Sequence, residues 1–127
     1  MPANKILIVE DSKFFLKAIA SVFEKEGFTV QTAATGEEAL KIAQADPPQI
    51  ILLDMVLPRL DGMMVLRMLR TIPTLRDTPV IVLSGNNSAQ DQSQAKKLGI
   101  IDYFLKDATP VSELVALVRK SLAAPRR

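Results

Sequence analysis

Cysteine and histidine are both absent from this chain of 127 residues. Without cysteine there is no disulfide, no thiolate zinc site, no thiol nucleophile and no thioredoxin-type redox chemistry. Without histidine the usual general base at neutral pH, the commonest metal ligand and every Ser-His-Asp triad are excluded as well. Tryptophan is missing too, and one tyrosine within an aromatic share of 5% provides no stacking platform for single-stranded nucleic acid. An excess of one charge sign is also lacking. Sixteen basic against fourteen acidic residues leave a formal net charge of +2, too little to argue for nucleic acid or an anionic membrane surface. No apolar run approaches the ~20 residues that span a bilayer, and the first residues lack a signal peptide's apolar region and cleavage site. These absences predict a cytoplasmic protein with no direct nucleic-acid or membrane partner. Its chemistry has to rest on carboxylates, hydroxyls and lysine.

What is present is ordinary globular composition, 48% apolar and 24% charged. The length is that of about one domain, so residues 1–127 are expected to form a single unit with a sizeable core. Short β-branched runs alternate with amphipathic stretches, without a composition break or an internal repeat. Ile6-Leu7-Ile8-Val9, Ile50-Ile51-Leu52-Leu53 and Val80-Ile81-Val82-Leu83 are continuous apolar runs, which suit central parallel strands covered on both faces. Phe28 to Thr32 alternates, and the run from Ile100 to Leu105 is interrupted by Asp102, so these two are expected at the edges.

Helices are predicted between the strands. The first runs from about Ser12 to Glu26 and is ended by Gly27; the second opens on the capping pattern Thr35-Gly36-Glu37-Glu38 and stops at Asp46-Pro47-Pro48. A third follows Asp61-Gly62, and its Met63, Met64 and Met68 are read as core and groove filling. The fourth, from about Ser88 to Leu98, is polar and the least firmly specified. The fifth starts with Thr109 as cap and Pro110 in the first turn. Lys96-Lys97 and Arg126-Arg127 are expected to be solvated charges, and 124–127 a frayed basic end. Five β-α units with right-handed crossovers make an α/β doubly wound parallel sheet with helices on both faces. With the edge strands second and last in sequence, the flavodoxin-like order 2-1-3-4-5 fits, and ligands are expected beyond the carboxyl ends of the strands.

Four strand ends deliver polar groups to that edge: Glu10-Asp11, Asp54, Ser84-Gly85 and Lys106. Two carboxylates about 5 Å apart repel by about 3 kcal/mol at an effective dielectric of ~20, so a compensating charge is needed. A hard divalent cation such as Mg²⁺ supplies it, and without histidine or cysteine a soft metal is disfavoured. Asp54 is then the natural nucleophile toward a phosphoryl group, with Ser84 and Lys106 on its oxygens. Taken singly, each residue has a plainer reading: an aspartate after a strand is usually a turn or cap residue, Ser-Gly-Asn is ordinary turn chemistry, and a lysine is usually solvated. Their conjunction on one edge outweighs those readings.

Over essentially its full length the chain resembles the receiver domains of two-component response regulators. The matching residues are Glu10-Asp11-Ser12, the stretch from Asp54 through Met55-Val56-Leu57-Pro58-Arg59-Leu60-Asp61 to Gly62, Ser84-Gly85, and Tyr103-Phe104-Leu105-Lys106. The resemblance implies a phosphoacceptor signalling switch rather than a turnover enzyme. By it, Asp54 is the phosphoacceptor; Asp11, Asp54 and the backbone carbonyl of Val56 are magnesium ligands; and Glu10 acts through a bound water. Ser84 is the switch hydroxyl, Lys106 the phosphate-binding lysine and Tyr103 the switch aromatic, for which a half-buried edge-strand ring is the plainer reading. The implied partners are a histidine kinase or phosphotransfer protein and a downstream effector protein.

Phosphorylation is expected to pull Ser84 toward the phosphate and let Tyr103 move inward, remodelling the face made by the fourth helix, fifth strand and fifth helix. By analogy Val56 and Asn86 flank the attacking water; a valine side chain cannot hydrogen-bond it whereas asparagine can, so moderately slow self-dephosphorylation is expected, limited chiefly by Val56. One departure concerns Asp107, which stands where the family usually has a proline joined through a cis peptide bond, leaving open whether the Lys106–Asp107 bond is cis or trans. A constitutive interaction module of the same fold, never phosphorylated, is the alternative, against which the complete acidic set and Lys106 weigh. A haloacid-dehalogenase-type phosphotransferase would need a second aspartate where Val56 stands.

Overall fold

Each of the three continuous apolar strands divides its side chains between two cores, as a period of two requires when both faces of a sheet are covered. In a computed structural model that describes residues 4–85 and 88–123, the elements are β1 (Lys5–Val9), α1 (Lys13–Lys25), β2 (Thr29–Ala33), α2 (Gly36–Ala45) and β3 (Ile50–Asp54). They continue with α3 (Gly62–Thr71), β4 (Val80–Ser84), α4 (Ala89–Lys97), β5 (Asp102–Leu105) and α5 (Val111–Ala123). The five strands form one parallel sheet in the order β2-β1-β3-β4-β5. Fold class and strand order thus match the expectation. The readings made for Asn86 and for 124–127 concern residues outside the described set.

Ile6 and Ile8, Ile50 and Leu52, and Ile81 and Leu83 point to one side, where Ile19 and Phe23 of α1 and Leu114 and Val118 of α5 cover them. Leu7 and Val9, Ile51 and Leu53, and Val80 and Val82 point to the other, against Leu40 of α2, Val65 and Leu69 of α3 and Ala95 of α4. Each fully buried aliphatic side chain contributes about 1.5–3 kcal/mol, so both faces are strongly specified and a one-residue slip of a strand would exchange the two sets.

Helix starts follow the local chemistry. Ser12, Thr35, Asp61 and Ser88 cap α1 to α4, each accepting a backbone N–H from three residues on. At α2 Glu38 reaches back past the cap, its carboxylate accepting the Ala34 amide at 3.0 Å. Gly27 and Gly99 take φ of 93° and 76° where the chain leaves α1 and α4. Two boundaries differ from the reading: β5 begins at Asp102 rather than Ile100, because the turn at Gly99 delays pairing, and α5 begins at Val111, just beyond Pro110. Met64 and Met68 are 43% and 41% exposed rather than core. The buried face of α3 is Gly62, Val65, Leu66 and Leu69, and at 100° per residue positions 64 and 68 fall on the opposite side; Met63 does pack inward. Among the described residues no helix is long and apolar enough to cross a membrane.

Candidate functional site

Sheet register brings the polar strand ends to one level. Val9 pairs with Leu53, Asp54 with Leu83 and Ser84 with Leu105, and the Lys106 amide donates to the Ser84 carbonyl at 2.8 Å. Alternation then sorts them. Glu10, Asp54 and Lys106 continue the series of Ile6 and Ile8, of Ile50 and Leu52, and of Phe104, on the α1–α5 side. Ser84 continues the series of Val80 and Val82, and Tyr103 packs on that same α2–α4 side.

The first set makes a charged cluster. The Lys106 ammonium lies 2.5 Å from Glu10 Oε1 and 3.1 Å from Asp54 Oδ2. Glu10 and Asp54 are 1% and 2% exposed, whereas Asp11 is open to solvent. Burial, opposed by the Lys106 hydrogen bond and reinforced by the charge on Asp54, holds the Glu10 carboxyl above the usual carboxylate range. Burial pulls the Lys106 ammonium down, but its hydrogen bond to Glu10 and the charges of Asp54 and Glu10 outweigh that and leave it above the ordinary lysine value. The Phe15 ring of α1 lies under the ammonium, its centroid 5.0 Å from Nζ. Backbone amides fix the carboxylates: Ser12 N–H donates to Glu10 Oε2 at 3.0 Å, and Val56 N–H to Asp54 Oδ1 at 3.1 Å.

The second set is a hydroxyl pair. Tyr103 O–H donates to Ser84 Oγ at 3.1 Å, with Ser84 1% exposed and Tyr103 half-buried. Tyr103 thus faces inward in this structure, with its hydroxyl on Ser84. No peptide bond among the described residues is cis, so the Lys106–Asp107 bond is trans.

One ligand atom from each of Glu10, Asp11 and Asp54 lies within 4.8 Å of the other two. Three carboxylates against one ammonium leave the cluster net negative, and an all-oxygen donor set with Asp11 open to water fits a hard divalent cation that keeps part of its hydration shell. All the sequence-predicted side chains thus meet at one edge: Glu10, Asp11, Asp54 and Lys106 in one group, Ser84 and Tyr103 in the other. Val56 stands beside them, 64% exposed. Two contributors escaped the sequence reading. Phe15 carries no signal of its own, because nothing in the sequence shows Lys106 reaching it. Gly62 carried a motif but no role; a Cβ there would stand 2.2 Å from the Asp54 carbonyl oxygen.

Comparison with known proteins agrees with this geometry. The model of the response regulator receiver domain matches residues 6–119. The chain is 35% identical over 126 residues to the alkaline phosphatase synthesis transcriptional regulatory protein PhoP of Bacillus subtilis, covering 96% of this chain and 52% of PhoP. The chain spans about half the length of that relative and of several others. Among solved structures, a response regulator of Chloroflexus aurantiacus superposes with a TM-score of 0.89 at 28% identity, covering 97% of this chain and all (100%) of that one. The BeF3-activated N-terminal receiver domain of Klebsiella pneumoniae RstA does so with a TM-score of 0.86 at 31% identity, covering 95% and 100%. With matching sequence, superposable fold and the acidic residues gathered where the sheet ends, the chain belongs to the response regulator receiver domains of two-component signalling.

Proposed function

We propose that this chain, a single receiver domain over residues 1–127, is a phosphoacceptor switch in which Asp54 takes the phosphoryl group. The observation that carries the reading is the placement of Asp54, buried and gripped at one oxygen by the Val56 amide and at the other by Lys106. A carboxylate oxygen of Asp54 attacks phosphorus, the bond from phosphorus to the donor breaks, and its electron pair leaves with the donor, producing an acyl phosphate. The Lys106 ammonium, already beside the Asp54 carboxylate, bonds one transferred oxygen, and the Ser84 hydroxyl bonds another. Asp11, Asp54 and the backbone carbonyl of Val56 would hold Mg²⁺, with Glu10 acting through water. When bound, the ion neutralises charge on the transferring oxygens.

The donor is a histidine kinase or phosphotransfer protein. The readout is the face of α4, β5 and α5, coupled to the site through Ser84 and Tyr103 and offered to an effector protein. Self-dephosphorylation is moderately slow, because the exposed Val56 side chain gives an attacking water no hydrogen bond.

Incubation with Mg²⁺ and a small phosphodonor, followed by intact-mass measurement, tests this. The wild type is expected to gain one phosphoryl group and Asp54→Ala none. A wild type that gains nothing would favour the constitutive interaction module, and a gain that survives in Asp54→Ala would move the acceptor elsewhere.

A further inference from the structure

Lys106 has to hold a long, flexible side chain in one position at the end of a strand where the backbone gives it little help. The last ladder bond of β5 is the one its own amide makes to Ser84 at 2.8 Å; beyond it the turn is closed by a long Ala108 N–H to Leu105 carbonyl bond of 3.4 Å. The two carboxylates attract the ammonium, but Asp54 is the group that changes when a phosphoryl group arrives. A positioning contact that does not depend on Asp54 would keep the ammonium in place through the transfer.

We propose that Phe15 is that contact, a positioning residue whose ring face holds the Lys106 ammonium over Glu10 and Asp54; its kinetic consequence rests on the phosphoacceptor reading. The ring centroid is 5.0 Å from Nζ, within the range where an ammonium is drawn to the negative face of an aromatic ring. The ring is itself anchored. Glu10 accepts the Ser12 amide, and Ser12 Oγ in turn accepts the Phe15 amide at 3.4 Å, so the residue that binds Lys106 also sets where α1 and its ring begin. Phe15 is half-buried against the α1–α5 core while its neighbour Phe14 is 78% exposed, so the helix start turns one of two adjacent rings inward. An aromatic face suits the task better than a third carboxylate would. It stabilises a cation through its quadrupole without adding net negative charge against an incoming phosphoryl group. It also takes up none of the ammonium's hydrogen-bond capacity from oxygen acceptors.

The test is the rate of phosphorylation by a small phosphodonor with Mg²⁺ in wild type, Phe15→Leu, Phe15→Tyr, Lys106→Met and the Phe15→Leu/Lys106→Met double variant. Phe15→Leu, which keeps an apolar side chain, is expected to be about three- to tenfold slower, and Phe15→Tyr, which keeps the ring face, to restore most of that loss. In the Lys106→Met background Phe15→Leu is expected to cause no further slowing, since its effect passes through the ammonium. Wild-type speed in Phe15→Leu, the same fold loss with and without Lys106, or a Phe15→Tyr as slow as Phe15→Leu would each overturn the proposal. Should the wild type accept no phosphoryl group, the phosphoacceptor reading fails by itself. Thermal melts of wild type, Phe15→Leu, Lys106→Met and their double variant then decide on Phe15: non-additive losses support the contact and additive ones overturn it.

Discussion

A methyl group added at Gly62 would stand 2.2 Å from the Asp54 carbonyl oxygen and 2.6 Å from the Met55 Cα, closer than such contacts allow. The first turn of α3 is laid directly on the end of β3, with the Gly62 amide donating to the Met55 carbonyl at 3.0 Å. Replacing a helical glycine by alanine normally gains about 1 kcal/mol. Here the sign is expected to reverse, with Gly62→Ala losing about 1–3 kcal/mol in chemical denaturation because the backbone of the acceptor strand has to shift. Equal or greater stability would mean the two segments separate easily. At this scale the polar residues were legible, because Glu10, Asp54, Ser84 and Lys106 each stand at the end of an apolar strand run. Gly62 and Phe15 were not, because a close approach and a ring under an ammonium are relations between segments.

At the scale of elements, α4 is the test of how far local pattern carries. Apart from Ala95 it buries nothing fully, so hydrophobic periodicity barely marks it. It forms with Ser88 as a cap at one end and an external clamp at the other. Arg70 of α3 donates to the carbonyls of Leu98 at 2.7 Å and Gly99 at 3.3 Å, and to those of Arg76 at 3.2 Å and Thr78 at 2.8 Å. One planar guanidinium thus ties the end of α4 to the loop that leads into β4. Lysine cannot reproduce that fork. Arg70→Lys is therefore expected to lose about 2 kcal/mol of stability and to speed amide hydrogen exchange in α4 more than in α1. Unchanged exchange in α4 would show that the helix is held by other contacts. The clamp was invisible in the sequence, where Arg70 is one more basic residue near a helix end.

For the whole molecule, the site's net negative charge implies linkage between folding and a divalent cation. At ten times its dissociation constant Mg²⁺ is expected to add about 1.4 kcal/mol, read as an upward shift in the thermal melt. Asp11→Asn removes a carboxylate of the cluster and is expected to abolish most of that shift; a shift of undiminished size would place the ion elsewhere.

The alternation of apolar runs with amphipathic stretches determined the architecture by itself, because two-sided burial demands continuous apolar strands and crossovers have a fixed hand. It also determined that the polar ends of four strands share one edge. The division of those ends was decided only by the tertiary structure. Register and period together set Glu10, Asp54 and Lys106 on the face covered by α1, and Ser84 and Tyr103 on the face covered by α4. Tyr103 is inward for the same reason: its strand presents it to the α2–α4 core, where its hydroxyl finds Ser84. A sequence records which residues end each strand. Which of them meet depends on side-chain direction and on the helix packed over each face, and those exist only once the sheet is assembled.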